Sequence, residues 1–262
     1  MGQFNRSDYD GLVLNEVRDG TVAAAFTERT GGISEPPYAS LNLGSHVGDD
    51  LAAVMENRCR VLAALGCAGD FERLLVPNQV HGDRVAVVRE GSDDELARVR
   101  GQIAEGADAI VCVAAHVPVM LCFADCVPVV LTCPGGFAVV HSGWKGTIAR
   151  ISAKAASILC EAAGCHASSV RAYIGPHILG DEYEVSQELM ERFCAEFGWV
   201  VTGDSRMLDL GRAIRQALVE TGMPEDVICD LGLSTVRCND RFFSYRAENG
   251  ICGRHAAVAV MG

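Results

Sequence analysis

His81, Cys126 and His141 each stand where an apolar run breaks into a turn. Two imidazoles and one thiolate make a ligand set for a single zinc ion, with one tetrahedral position left open for chemistry. The three contexts are Val76-Pro-Asn-Gln-Val-His81-Gly82, Leu121-Cys-Phe-Ala-Asp-Cys126-Val-Pro128 and Ala138-Val-Val-His141-Ser-Gly-Trp-Lys-Gly146. Gly, Pro or Asp flanks every one of them, so each marks a backbone bend where functional groups collect. His46, His116, His166 and His255 lack this setting and read as ordinary core or turn histidines. Asp125 either orients a ligand histidine as its hydrogen-bond acceptor or simply shapes a turn. Lys145 and the helix start after His141 favour an anion. Arg29, Arg246 and Arg58, with Asn42 near Arg58 in sequence, are further candidates for binding phosphate or substrate. The catalytic candidates are therefore Cys126, His81, His141 and Asp125.

These residues need strand ends to hold them. Short apolar, β-branched segments at Ala109–Val113, Val119–Phe123, Val127–Thr132 and Phe137–His141, punctuated by Pro and Gly, read as buried strands. The same punctuation argues against a membrane span over Ala109 to Cys133. Val22–Phe26, Arg171–Ile174, Phe242–Tyr245 and His255–Val260 read as strands too, and Leu74–Val80 and Arg84–Val88 as β-rich runs. Helical spacing predicts helices from Asp49 or Asp50 to Leu65, over Thr147–Ala163, Ser186–Phe197 and Asp209–Thr221. Strand runs broken by helix runs give an α+β fold with a mixed or antiparallel sheet. No linker divides residues 1–262, which predicts a single domain.

The net charge of −12 argues against nucleic acid as the main partner, though local arginines can still hold a small phosphate. Met1-Gly-Gln-Phe carries no apolar signal segment, so a cytoplasmic protein is expected, with most of its twelve cysteines reduced. No Walker A loop, Gly-x-Gly-x-x-Gly, Gly-x-Ser-x-Gly or His-Glu-x-x-His motif is present.

Beyond these single features, an ordered series of motifs resembles the YfiH/laccase-domain family across nearly the whole chain. It runs through Thr27-Glu-Arg-Thr-Gly-Gly-Ile-Ser34, Ser40-Leu-Asn-Leu-Gly44, Asn57-Arg58, Asn78-Gln-Val-His-Gly82, Gly106-Ala-Asp-Ala109 and Ala124-Asp-Cys-Val-Pro128. It continues with His141-Ser-Gly-Trp-Lys-Gly146, Ile174-Gly-Pro176, Tyr183-Glu-Val185, Phe243-Ser-Tyr-Arg246 and Gly253-Arg254. The resemblance implies a layered αββα sandwich like that of cytotoxic necrotizing factor catalytic domains. It implies one zinc ion on His81, Cys126 and His141. It also implies phosphate-dependent cleavage of adenosine, inosine and methylthioadenosine, with deamination of adenosine at the same site. The partners would be a nucleoside and phosphate. Ser142 and Lys145 stand where the family commonly has Ala and Arg, Ala247 replaces an Arg, and Cys252 replaces a Thr. Those changes bear on phosphate, because Arg and Lys are not equivalent at bidentate sites. The other readings are a copper oxidase of phenols, a cysteine amidase editing peptidoglycan precursors with Cys126 as nucleophile, and a purine-binding module without turnover.

Overall fold

The computed structural model describes residues 4–199 and 206–262. Its elements in chain order begin with β1 (Asn5–Tyr9), β2 (Leu12–Asp19), β3 (Val22–Thr27) and α1 (Leu51–Ala64). Then come β4 (Val85–Val88), α2 (Asp93–Ala104), β5 (Ala109–Cys112), β6 (Val119–Phe123), β7 (Val127–Cys133) and β8 (Gly136–Ser142). The last are α3 (Trp144–Ile148), α4 (Ile151–Ala163), β9 (Arg171–Ile174), α5 (Gln187–Phe197), α6 (Leu210–Val219), β10 (Ile228–Asp230) and β11 (His255–Met261).

The strands form two sheets. One is antiparallel throughout, in the order β1-β2-β3-β11-β6. The other is mixed, in the order β10-β9-β7-β8-β5-β4, with parallel pairs only at its two edges. Alternate residues of each strand point to opposite faces. Along β6, Val119, Leu121 and Phe123 enter the core shared by the two sheets, where Val130, Val139, Phe137 and Tyr173 meet them. Met120 and Cys122 point the other way, to Val61, Leu62 and Leu65 at α1. The outer face of the mixed sheet is covered by α4, α5 and α6, through Ala155, Leu159, Phe193, Ile214 and Leu218. The result is the expected αββα layering. It explains why residues 109–133 read as one apolar run: both faces of each strand are buried. No helix among the described residues is long and apolar enough to cross a membrane.

Several expectations need correction. The helix over Thr147–Ala163 is two helices, because Arg150 adopts a left-handed backbone (φ 58°) between α3 and α4. Phe242–Tyr245 is irregular and leads into a turn, not a strand. The β1-β2 hairpin and α2 are additional elements. Asp10 and Gly11, both at positive φ, make the two-residue turn between β1 and β2. Ser92 caps α2 by accepting from the Glu95 N–H. Asp50, Ser186 and Asp209, where three of the predicted helices begin, are their N-caps, and each accepts a first-turn backbone N–H.

Strand register brings the site together. Pro128 pairs with His141 in the β7-β8 hairpin, so Cys126, two residues earlier, lies at the same open end. Ala109 of β5 pairs with Val140, which puts Asp108 beside His141. Between β6 and β7 the chain crosses from one sheet to the other, and residues 124–126 are that crossing. His255 pairs with Phe123, so Arg254 enters at the same end.

Candidate active site

His81, Cys126 and His141 converge, with ligand atoms all within 4.8 Å of one another, as a group able to hold a metal ion. No fourth His, Cys, Asp or Glu joins them among the described residues. The two imidazole rings meet edge to face, with centroids 4.8 Å apart. Gly143 makes this approach possible. A Cβ there would stand 3.1 Å from both Cys126 Sγ and His81 Cδ2.

Asp108, fully buried, organises two of the three. Its carboxylate accepts the backbone N–H groups of Val80 (3.3 Å), His81 (3.0 Å) and Gly82 (2.7 Å). It also takes a 2.8 Å hydrogen bond from His141 Nδ1. Burial would raise its pKa, but the hydrogen bond and charge of His141, with the Gly82 and His81 N–H groups, hold it below the usual value. An ionised carboxylate only accepts, so His141 Nδ1 carries the proton and Nε2 is free to bind a metal.

The same neighbours set the charge of the thiol. Burial raises the pKa of Cys126, but His141 and His81 outweigh it and bring it down to about 6. His141 moves the other way, to about 9. Burial lowers it, and Cys126 and Asp108 more than compensate. A thiolate and a correctly oriented imidazole thus stand ready, and metal binding would displace the His141 proton at Nε2.

The group forms one wall of a cavity of about 530 Å³. Phe123, Ile178, Tyr183 and Tyr245 supply its apolar surface, and His46, Arg246 and Arg254 its basic surface. Burial holds the Tyr183 phenol above its ordinary range, helped by the negative charges of Cys126 and Asp125. Burial first, and then the charges of Arg254, Arg58, His81 and His141, disfavour protonation of His46.

The remaining sequence candidates fall in different places. Arg246 lines the cavity, with its guanidinium over the Tyr183 ring at 5.4 Å. Asp125 also lines it but touches no ligand histidine. Its Oδ1 accepts the hydroxyls of Thr235 and Ser244 (both 2.7 Å), and its Oδ2 accepts the Arg246 N–H (2.7 Å). The acceptor role expected for Asp125 belongs to Asp108. Asn42, Arg58 and Lys145 are not among the lining residues. Arg58 donates through Nε and Nη2 to the Leu43 carbonyl. Asn42 bridges Gly44, Asp49 and the Arg254 N–H. Lys145 is exposed, with its Nζ 5.5 Å from the Trp144 ring centroid.

The four layers and the pocket at their end define a class of compact α+β enzyme with an open-sided ligand group. The family model described as multi-copper polyphenol oxidoreductase laccase matches residues 23–262. A purine nucleoside phosphorylase of Deinococcus radiodurans is 39% identical over 256 residues, covering 95% of this chain and 92% of that protein. Purine nucleoside phosphorylase YlmD of Bacillus subtilis is 32% identical, covering 89% and 86%. The crystal structure of YlmD from Geobacillus stearothermophilus superposes with a TM-score of 0.86 at 28% identity, covering 100% of this chain and 99% of that one. That of Bacillus licheniformis YfiH gives 0.85 at 29% identity, with 97% and 98% covered. The chain belongs to this laccase-domain family, and it is an enzyme.

Proposed function

We propose that this enzyme is a zinc-dependent purine nucleoside phosphorylase that also deaminates adenosine, working in the cytoplasm on adenosine, inosine and methylthioadenosine. The observation that carries this reading is the cavity, lined by a two-histidine, one-cysteine group together with aromatic and cationic side chains. Its volume suits a ligand of nucleoside size. The names of the relatives point the same way.

In phosphorolysis a phosphate oxygen bonds to ribose C1′ as the C1′–N9 bond breaks. The bonding pair leaves with the purine, which takes up a proton. Catalysis here is chiefly alignment and charge compensation. The residues proposed to do this are Tyr183 and Phe123 as walls for the nucleoside and Arg246 toward the phosphate. Asp125 holds the Arg246 backbone in position. His81, Cys126 and His141 would hold zinc, which supplies Lewis acidity and acidifies water toward neutrality, the chemistry deamination requires. Two nitrogens and one thiolate suit zinc, and the missing fourth protein ligand suits a catalytic rather than a structural site.

A second reading is favoured by one observation. Cys126, His141 and Asp108 also have the order of thiolate, base and orienting carboxylate found in cysteine hydrolases. Copper oxidation of phenols is the weaker alternative, since several metal sites are required and one ligand group forms among the described residues.

The test is chromatography of products from adenosine with and without phosphate. Adenine and ribose 1-phosphate only with phosphate, and inosine in both, are expected. Absence of all three from zinc-loaded protein would overturn the assignment. Alkylation of metal-free protein at Cys126 would then examine the hydrolase reading.

A further inference from the structure

We propose that Arg254, Arg246 and His46 form a subsite for a tetrahedral oxyanion, inorganic phosphate, in the cavity that the ligand group lines. The proposal rests on the phosphorylase reading only for which oxyanion is bound. The location itself follows from the charges.

The chain carries 34 acidic and 22 basic residues, so an arginine without a carboxylate partner needs an explanation. Most arginines here have such a partner, as Arg29 does in Glu248 and Arg150 does in Glu196. Arg246 and Arg254 both line the cavity, and neither guanidinium meets a carboxylate among the described residues. Arg254 Nη1 is anchored on the carbonyls of Cys252 and Gly253, both at 2.9 Å. That leaves Nε and Nη2 without partners among the described residues. The Arg246 guanidinium has no hydrogen-bond partner there at all, and it lies over Tyr183. His46 lines the same cavity and, as a neutral imidazole, offers an N–H donor rather than a charge.

The lining has almost nothing to offset the guanidinium charge. Asp125 is the single carboxylate in the lining, and three donors already engage it. Two forked guanidiniums beside an imidazole match the donor needs of phosphate, and arginine's planar fork suits bidentate binding of its oxygens. Arg58 and Asn42 then take a different part. Both bind the 42–45 loop that leads to His46, and Asn42 also accepts the Arg254 N–H. They are positioning residues for the subsite, not ligands of the anion.

Titration calorimetry of the full-length, metal-loaded protein with inorganic phosphate tests the assignment. Arg254→Gln and Arg246→Gln are compared with the starting protein at equal metal content and melting temperature. Arg246 is exposed, so its variant folds even if the anchored Arg254 proves sensitive. Each change should weaken phosphate binding by about tenfold or more, as expected for a lost charge-assisted hydrogen bond. Unchanged affinity in both variants, or no phosphate binding by the starting protein, would overturn the subsite. Two combinations separate the subsite from the proposed activity. Phosphate binding that the variants lose, without any ribose 1-phosphate from the starting protein, keeps the subsite and removes the phosphorylase reading. Ribose 1-phosphate formed with an unaltered KM for phosphate in both variants does the reverse.

Discussion

The two walls of the cavity are built differently. On the ligand wall, Cys126 and His141 sit at the ends of paired strands, and His81 is held by a carboxylate with no solvent contact. Away from that group, Arg246 of the basic surface and its neighbour Tyr245 stand on turns, and Tyr245 is 56% exposed. A metal site needs its ligands placed within a fraction of an ångström, which buried hydrogen bonds and strand register can supply. A wall that must receive and release a soluble anion gains from side chains that can move. The difference separates a fixed element of the site from an adaptable one.

The sharpest way to break the comparison is Cys126→Ala. Metal analysis should show loss of stoichiometric zinc together with activity. Full metal content with full activity would mean that the ligand wall has been misassigned. Next comes Asp108→Asn, which keeps the shape but places an amide N–H₂ against the His141 N–H or the backbone donors. Metal affinity should fall on the order of 10–100-fold, measured by competition with a chelator. An unchanged affinity would show that strand register alone orients the imidazoles.

A third prediction concerns the packing behind the ligand wall. His255 is fully buried, its ring nitrogens find no partner among the described residues, and Phe123 lies between it and His141. Burial, then the charge of Arg254, lowers its pKa to about 3. The unfolded chain titrates near the ordinary value of 6.5. Between these values the unfolded state binds a proton that the folded state refuses, so stability falls as pH drops through that window. The loss should reach a few kcal/mol by the lower end. Denaturant melts of His255→Phe across the same range should slope less steeply than those of the parent, and parallel slopes would refute the assignment. The smallest effect belongs to Tyr245, beside the basic residues. Tyr245→Ala should shift stability by no more than about 0.5 kcal/mol, whereas a large drop would show that this surface, too, is structural.

The ligands were legible because each stands where an apolar run of the sequence breaks, and the strands because both of their faces are buried. Asp108 was not. Gly106-Ala-Asp-Ala109 stood only as a motif without a role, and the hydrogen-bond partners of Asp108 lie 26 to 33 residues away in sequence. Arg254 was visible only as part of the Gly253-Arg254 motif, without a role, since a free guanidinium is defined by the carboxylates that fail to reach it, and His46 read as an ordinary histidine. Other omissions had signals. Asp10-Gly11 is a strong hairpin pair, and Ser92 followed by Glu95 marks the start of α2. The break at Arg150 had none, because Ile148 and Ile151 keep the helical spacing across it. The Phe242-Phe243 pair suggested a strand, but the following residues instead supply Ser244 Oγ and the Arg246 N–H to Asp125.

His81 holds a backbone φ of 58°, a region that a residue with a Cβ enters at a cost of order 1 kcal/mol or more. Glycine would adopt the same angle without that cost and would leave the chain without an imidazole. Selection for thermal resistance alone would therefore drift toward an inactive protein at this position. Histidine persists there only while the reaction itself is under selection, so its presence in a homologue would report retained function more reliably than overall sequence identity does.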